Sequence, residues 1–124
     1  MRIAGKGWIY KVEKEKQKII NLCSNLFGET KAEVRKSNKS VDELIRIFEE
    51  VRPNEERAQR LYMDLMNYDD DKVCFEAATC CLKLKRNTKE AEKVLERISQ
   101  SNPNPLIRFS AEKALEVWRE RGCL

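Results

Sequence analysis

Val73-Cys74-Phe75-Glu76-Ala77-Ala78-Thr79-Cys80-Cys81-Leu82 and Ile107-Arg108-Phe109-Ser110-Ala111-Glu112-Lys113-Ala114-Leu115 decide how this chain folds. Laid over one another at an offset of 34, they pair Val73 with Ile107, Phe75 with Phe109, Ala77 with Ala111, Cys80 with Ala114 and Cys81 with Leu115. Apolar residues recur three and four places apart in both, the period of a helix with a buried face. Alanines sit in the middle of that face and offer almost no side chain. A neighbouring helix axis can then approach toward the near end of the roughly 8–10 Å packing range. In the first stretch the polar positions reduce to Lys72, Glu76, Thr79 and Lys83, spaced by 4, 3 and 4, a single narrow wet stripe. A helix wet on so little must be covered elsewhere, which predicts a central element.

The helices before these two also repeat. Ala58, Leu61, Tyr62 and Leu65 return 33 places later as Ala91, Val94, Leu95 and Ile98. Local chemistry sets the boundaries. A helix from about Asn54 to Asn67 follows Pro53, and the acids Asp69-Asp70-Asp71 suit the N-terminus of the next, which runs to about Leu84. Lys85-Arg86-Asn87 turns the chain into a helix from Thr88 to Ser101. Asn104 as N-cap and Pro105 at the first helical place open the last helix, which ends near Arg121 with Gly122 as its stop. Two units of 33–34 residues, each a helix pair, form a helical repeat. With only 4 Gly and 3 Pro and an excess of helix formers, the composition agrees: the fold class is all-α, antiparallel helix pairs stacked as a short right-handed α-solenoid.

Upstream the pattern loosens. Residues 1–10 read as an irregular lead-in, and a helix from Lys11 to Phe27 is stopped by Gly28. Glu29 to Lys39 is polar, with a short helix around Ala32 to Lys36. Ser40-Val41-Asp42-Glu43 has the form of a capping box, opening a helix whose apolar stripe is Val41, Leu44, Ile45, Ile47, Phe48 and Val51. Two regions follow: a basic N-terminal helical segment, 1–39, and a helical-repeat domain, 40–124. Charge divides similarly. Residues 1–40 carry ten Lys/Arg and four acids, a net of +6, while the rest holds 15 basic and 17 acidic residues, a net of −2.

Val73-Cys74-Phe75-Glu76-Ala77-Ala78 and Ile107-Arg108-Phe109-Ser110-Ala111 resemble the second helix of HEAT-type repeats, where Val-Arg precedes an alanine pair and Ala-Leu. Arg108 matches that family's arginine; Cys74 stands at the place in the other copy, so an arginine ladder is broken. Ser40-Val41-Asp42-Glu43-Leu44 and Ala114-Leu115-Glu116-Val117-Trp118 with Gly122 are also similar to a small uncharacterised bacterial family of HEAT-like helix pairs. The resemblance spans about two thirds of the chain and concerns packing. It implies a HEAT-like solenoid and, by analogy, an adaptor or a toxin-neutralising (immunity-type) partner.

Chemistry-bearing motifs are few. With no histidine, there is no His-based triad, shuttle or metal site. The glycines form no phosphate loop, and Asp69-Asp70-Asp71 lacks the alternation and glycine of a calcium loop. Five cysteines lack Cys-x-x-Cys spacing; three fall inside an apolar helix, where thiols pack as small hydrophobes. No cofactor or metal is expected. Trp118 reads as a closing core aromatic, and Trp8 and Tyr10 beside Lys6 and Lys11 as an aromatic–basic cluster. No apolar run reaches membrane-spanning length, so the chain is expected in the cytoplasm.

The expectation for function is a non-catalytic protein–protein interaction module, using the polar face of the second helices. That face would comprise Glu76, Thr79, Lys83, Arg108, Glu112, Lys113 and Glu116, and the partner would be another protein. The alternative is nucleic-acid binding through the basic N-terminal third.

Overall fold

The structure, a computed structural model, describes residues 8–124, with side chains from Lys11 onward. Six helices follow in order: α1 (Trp8–Cys23), α2 (Lys31–Val51), α3 (Glu55–Met66), α4 (Asp71–Leu84), α5 (Thr88–Ser101) and α6 (Pro105–Arg121). Among the described residues there is no strand.

From α3 onward the punctuation works as the residues demand. Asn54 accepts from the Arg57 amide, Asp70 from that of Lys72 and Asn104 from that of Leu106, each satisfying an orphan donor at a helix start. Lys85 closes α4 in the left-handed region at φ 56°, and Gly122 closes α6 at φ 68°.

Packing centres on α4, which touches α3 and α5 extensively and α1 and α6 less so. Val73, Cys74, Ala77, Ala78, Cys80, Cys81 and Leu82 are all buried, leaving only the narrow stripe partly wet. The repeat is carried in burial too: Ala77 and Ala111 are both fully buried, as are Ala58 and Ala91, Tyr62 and Leu95, and Leu65 and Ile98. The aromatic pair differs. Phe75 is partly buried against Phe27, ring centroids 5.6 Å apart and edge-on, whereas Phe109 on the terminal helix is exposed. Trp118 packs partly buried against the core cluster.

Three upstream expectations are corrected. Trp8 to Tyr10 are helical, and α1 ends at Cys23 rather than Phe27. Ser24 Oγ donates to the Asn21 carbonyl, while Phe27 turns left-handed at φ 62° and seats on Phe75. More consequentially, Ser40 opens no helix. The capping box lies ten residues earlier: Thr30 Oγ1 accepts from the Glu33 amide (3.1 Å) and Glu33 Oε1 from the Thr30 amide (3.0 Å). The Thr30 amide, with that of Glu29, holds the Glu33 carboxyl below its usual range. Ser40 is instead buried inside α2, its hydroxyl accepting from Asn25 Nδ2 at 3.0 Å. The division drawn at 39/40 falls within this continuous helix.

Candidate functional site

One long α2 in place of two short pieces gives the molecule its most distinctive surface. Buried residues on α2 begin only at Ser40 and continue through Leu44, Ile47, Phe48 and Val51, which pack toward α1 and α3. A second stripe, Val34, Ser37, Val41, Ile45 and Phe48, runs beside it at helical spacing. Val34, Val41 and Ile45 stay exposed, Ile45 by half its surface. Val41 and Ile45, which the sequence places on one apolar stripe with Leu44, Ile47, Phe48 and Val51, are therefore surface residues.

That stripe forms one wall of a groove whose floor is the wet stripe of α4. The larger lobe, about 520 Å³, lies between Val34 and Val41 of α2, Phe75, Glu76, Thr79 and Lys83 of α4, and Leu106 and Ala114 of α6. Leu26, Phe27 and Gly28 close it at the α1–α2 loop. A smaller lobe of about 370 Å³ continues along Val41, Ile45 and Phe48 past Glu76, Cys80 and Lys83. Gly28 is needed for this closure: a Cβ there would stand 2.5 Å from Glu33 Cβ and 2.7 Å from its carbonyl carbon.

The groove is largely apolar; Glu76 and Lys83 line both lobes, and the Glu49–Arg52 ion pair lines the smaller one. Lys83 Nζ lies 5.5 Å from the centre of the Phe48 ring, a cation–π contact. Glu76 is partly buried, and its carboxylate receives the Cys80 thiol at 3.4 Å. Burial pushes Glu76 above the usual carboxylate range, against weaker downward pulls from Cys80 and Lys83. Cys80 itself is driven well upward, by burial first and by Glu76 second, so the thiol is held protonated and poorly nucleophilic. Behind it the Tyr62 hydroxyl, buried with no hydrogen-bond partner, is also pushed up by burial. Cys23 and Cys81 follow the same course, Cys81 reaching about 12 through burial.

Neither a family model, a curated protein nor a solved structure matches this chain.

Of the seven residues expected on one polar face, the structure brings three together: Glu76, Thr79 and Lys83 line the groove. The α6 residues lie elsewhere. Arg108 Nη1 donates to the Asn102 carbonyl at 2.6 Å, tying α6 to the turn before it. Glu112 and Glu116 line a different hollow, with Glu96 and Arg119, along α5 and α6. Lys113 pairs with Glu116 at 3.4 Å and leans on Phe109, 5.7 Å from its ring centre. The α2 wall was missed although its signal was present: positions 34, 37, 41, 45 and 48 step by 3, 4, 4 and 3. Reading Ser40 as a helix start cut that series in two. The side chains of Lys6, Trp8 and Tyr10, and with them the aromatic–basic cluster, lie outside the described residues.

Among the described residues no group of acids and thiols is arranged to hold a metal ion, and no helix is long and apolar enough to cross a membrane.

Proposed function

We propose that this chain is a non-catalytic protein-binding module, an adaptor or a toxin-neutralising partner working in the cytoplasm. Its helices are taken as antiparallel pairs, α1–α2, α3–α4 and α5–α6, stacked as a short HEAT-like right-handed solenoid. The second helix of each pair then contributes to one face, and the groove is where α2, α4 and α6 meet. The observation that carries this reading is the exposed stripe Val34, Val41 and Ile45 along a groove lined mostly by apolar side chains. Side chains of that kind, contiguous and left in water, mark interaction surfaces.

A pull-down from the source cell, with the wild type and with Val41→Asp/Ile45→Asp as baits and with and without nuclease, tests it. A protein captured by the wild type, lost by the variant and indifferent to nuclease supports the groove. Equal capture by both baits refutes it.

One observation favours a second reading. Lys31, Arg35, Lys36 and Lys39 are exposed on the first half of α2, whereas Lys16 and Lys18 are engaged by Asp64 and Glu43. Four such cations on one helix can attract a phosphate backbone. Nuclease-sensitive capture, with affinity falling steeply in salt, would select that alternative.

A further inference from the structure

Glu76 is the one acidic side chain in the larger lobe, and no described lysine or arginine forms an ion pair with it. The two cations on its own helix face are engaged elsewhere: Lys72, one turn before it, donates to the Ser24 carbonyl at 3.5 Å, and Lys83, two turns after it, is placed on the Phe48 ring. The carboxylate's hydrogen bond is a thiol's, a weak donor. A carboxyl group walled by Val34, Val41 and Phe75 is therefore short of a counterion in the free protein. Burial already pushes its pKa upward.

Resting on the protein-binding reading above, we infer that the groove receives an amphipathic helical segment of another protein carrying a lysine or arginine among its apolar residues, the cation meeting Glu76. Charge complementarity selects this occupant. A wholly apolar segment would seal Glu76 from water with nothing to replace its hydration, and an acidic one would add repulsion. A cation turns that cost into a charge-assisted hydrogen bond in a low-dielectric groove. Length agrees with a helix: Val34 to Ile45 spans about 16 Å at 1.5 Å per residue, or three turns of a docked partner. Recognition by apolar anchors at i, i+4 and i+7 is how helices lie in grooves of this kind.

The test is selection of a displayed library of random peptides, about 16 residues each so that a helix can cover the groove, on the full-length chain. The expected winners carry Lys or Arg at one fixed place between apolar positions. A synthetic winner should bind at least about tenfold tighter than its Lys→Gln version, as a buried charged pair warrants. Glu76→Gln, which keeps shape, should erase that difference, and Glu76→Lys should restore binding to the peptide whose Lys is replaced by Glu. Winners with no fixed cation, or a lysine advantage that survives Glu76→Gln, would overturn the assignment of Glu76. In that case loss of binding in Val41→Asp would leave the groove itself standing. No enriched peptide, or binding indifferent to Val41→Asp, would overturn both.

Discussion

Replacing Ala77 by Glu should be among the most damaging single changes in the molecule. Ala77 has no exposed surface and lies on the helix touched by four others. Four added heavy atoms find no space there. Overpacking alone costs about 1–3 kcal/mol, and an unpaired carboxylate in the same place adds a desolvation penalty of several kcal/mol. Part of that is relieved by protonation and local shifts, so a net loss of about 4 kcal/mol is expected. Ala111 is equally buried, but α6 is the last helix and packs mainly on α5. It can tilt and let the new side chain reach water, so Ala111→Glu should cost only about half as much. Lys113→Ala, on the exposed side of α6, should stay within about 0.5 kcal/mol. Urea denaturation followed by far-ultraviolet circular dichroism reads all three. With a slope near about 1.5 kcal/mol per molar, the Ala77→Glu midpoint should fall by roughly 2–3 M. Equal midpoints for Ala77→Glu and Lys113→Ala would refute the central placement of α4 on its alanine face.

Other outcomes follow from individual contacts. The folded-state pKa of Glu76 is raised, so ionising it costs stability as pH rises through that value. Glu76→Gln should accordingly be the more stable protein at pH 7.5 and lose its advantage near pH 4, below the unfolded-state value; denaturation midpoints at the two pH values check the sign. Cys23, Cys74, Cys80 and Cys81 are buried and Cys123 is exposed, so a thiol reagent should titrate one cysteine quickly in the native protein and all five once unfolded. More than one fast thiol would mean that α4, or the end of α1 at Cys23, opens. Asn102 is buried, donates to Asp71 Oδ2 at 2.7 Å and accepts from the Asn104 amide at 2.8 Å. Removing it in Asn102→Ala strands both partners and should cost about 2 kcal/mol by thermal or chemical denaturation. Thr30→Ala deletes the cap of α2 and should cost about 1 kcal/mol or less, while fraying the helix ahead of Val34. Faster amide exchange confined to α2's first turns would show it, and protection unchanged there would count against the cap.

Reading the chain outward from Ala77 and Ala111 worked because each later boundary is set by a local rule. Asn54, Asp70, Asn104 with Pro105, and Gly122 each act within one helical turn of themselves. The error upstream had the same origin. Ser40-Val41-Asp42-Glu43 and Thr30-Lys31-Ala32-Glu33 both spell a capping box, and nothing local distinguishes them. Tertiary contact does: Asn25 claims the Ser40 hydroxyl, and the 24–30 loop delivers Thr30 to the helix start. Polar residues at the groove were legible on α4, where the stripe lies on one helix. Those expected on α6 dispersed, because Arg108 turns back to its own loop and Glu112 and Glu116 face α5. Sequence period shows which residues share a helix face, but not which neighbour that face meets.

The length of α2 is what turns a packed bundle into a surface with a groove. At 21 residues it is the longest helix among the described residues, and none of its residues before Ser40 is buried. Core formation does not explain that overhang, since the buried positions would be served by a helix starting near Ser40. Isolated helical turns are marginal in water, so the first turns of α2 depend on local support. That support is present: the Thr30–Glu33 box, the close approach of Gly28 to Glu33, and Phe27 held left-handed against Phe75. A non-glycine residue at positive φ costs of order 1 kcal/mol or more, and here it closes the end of the groove and braces α2. Each of these features stabilises a wall that the core does not require, and that wall carries Val34 and Val41 over Glu76.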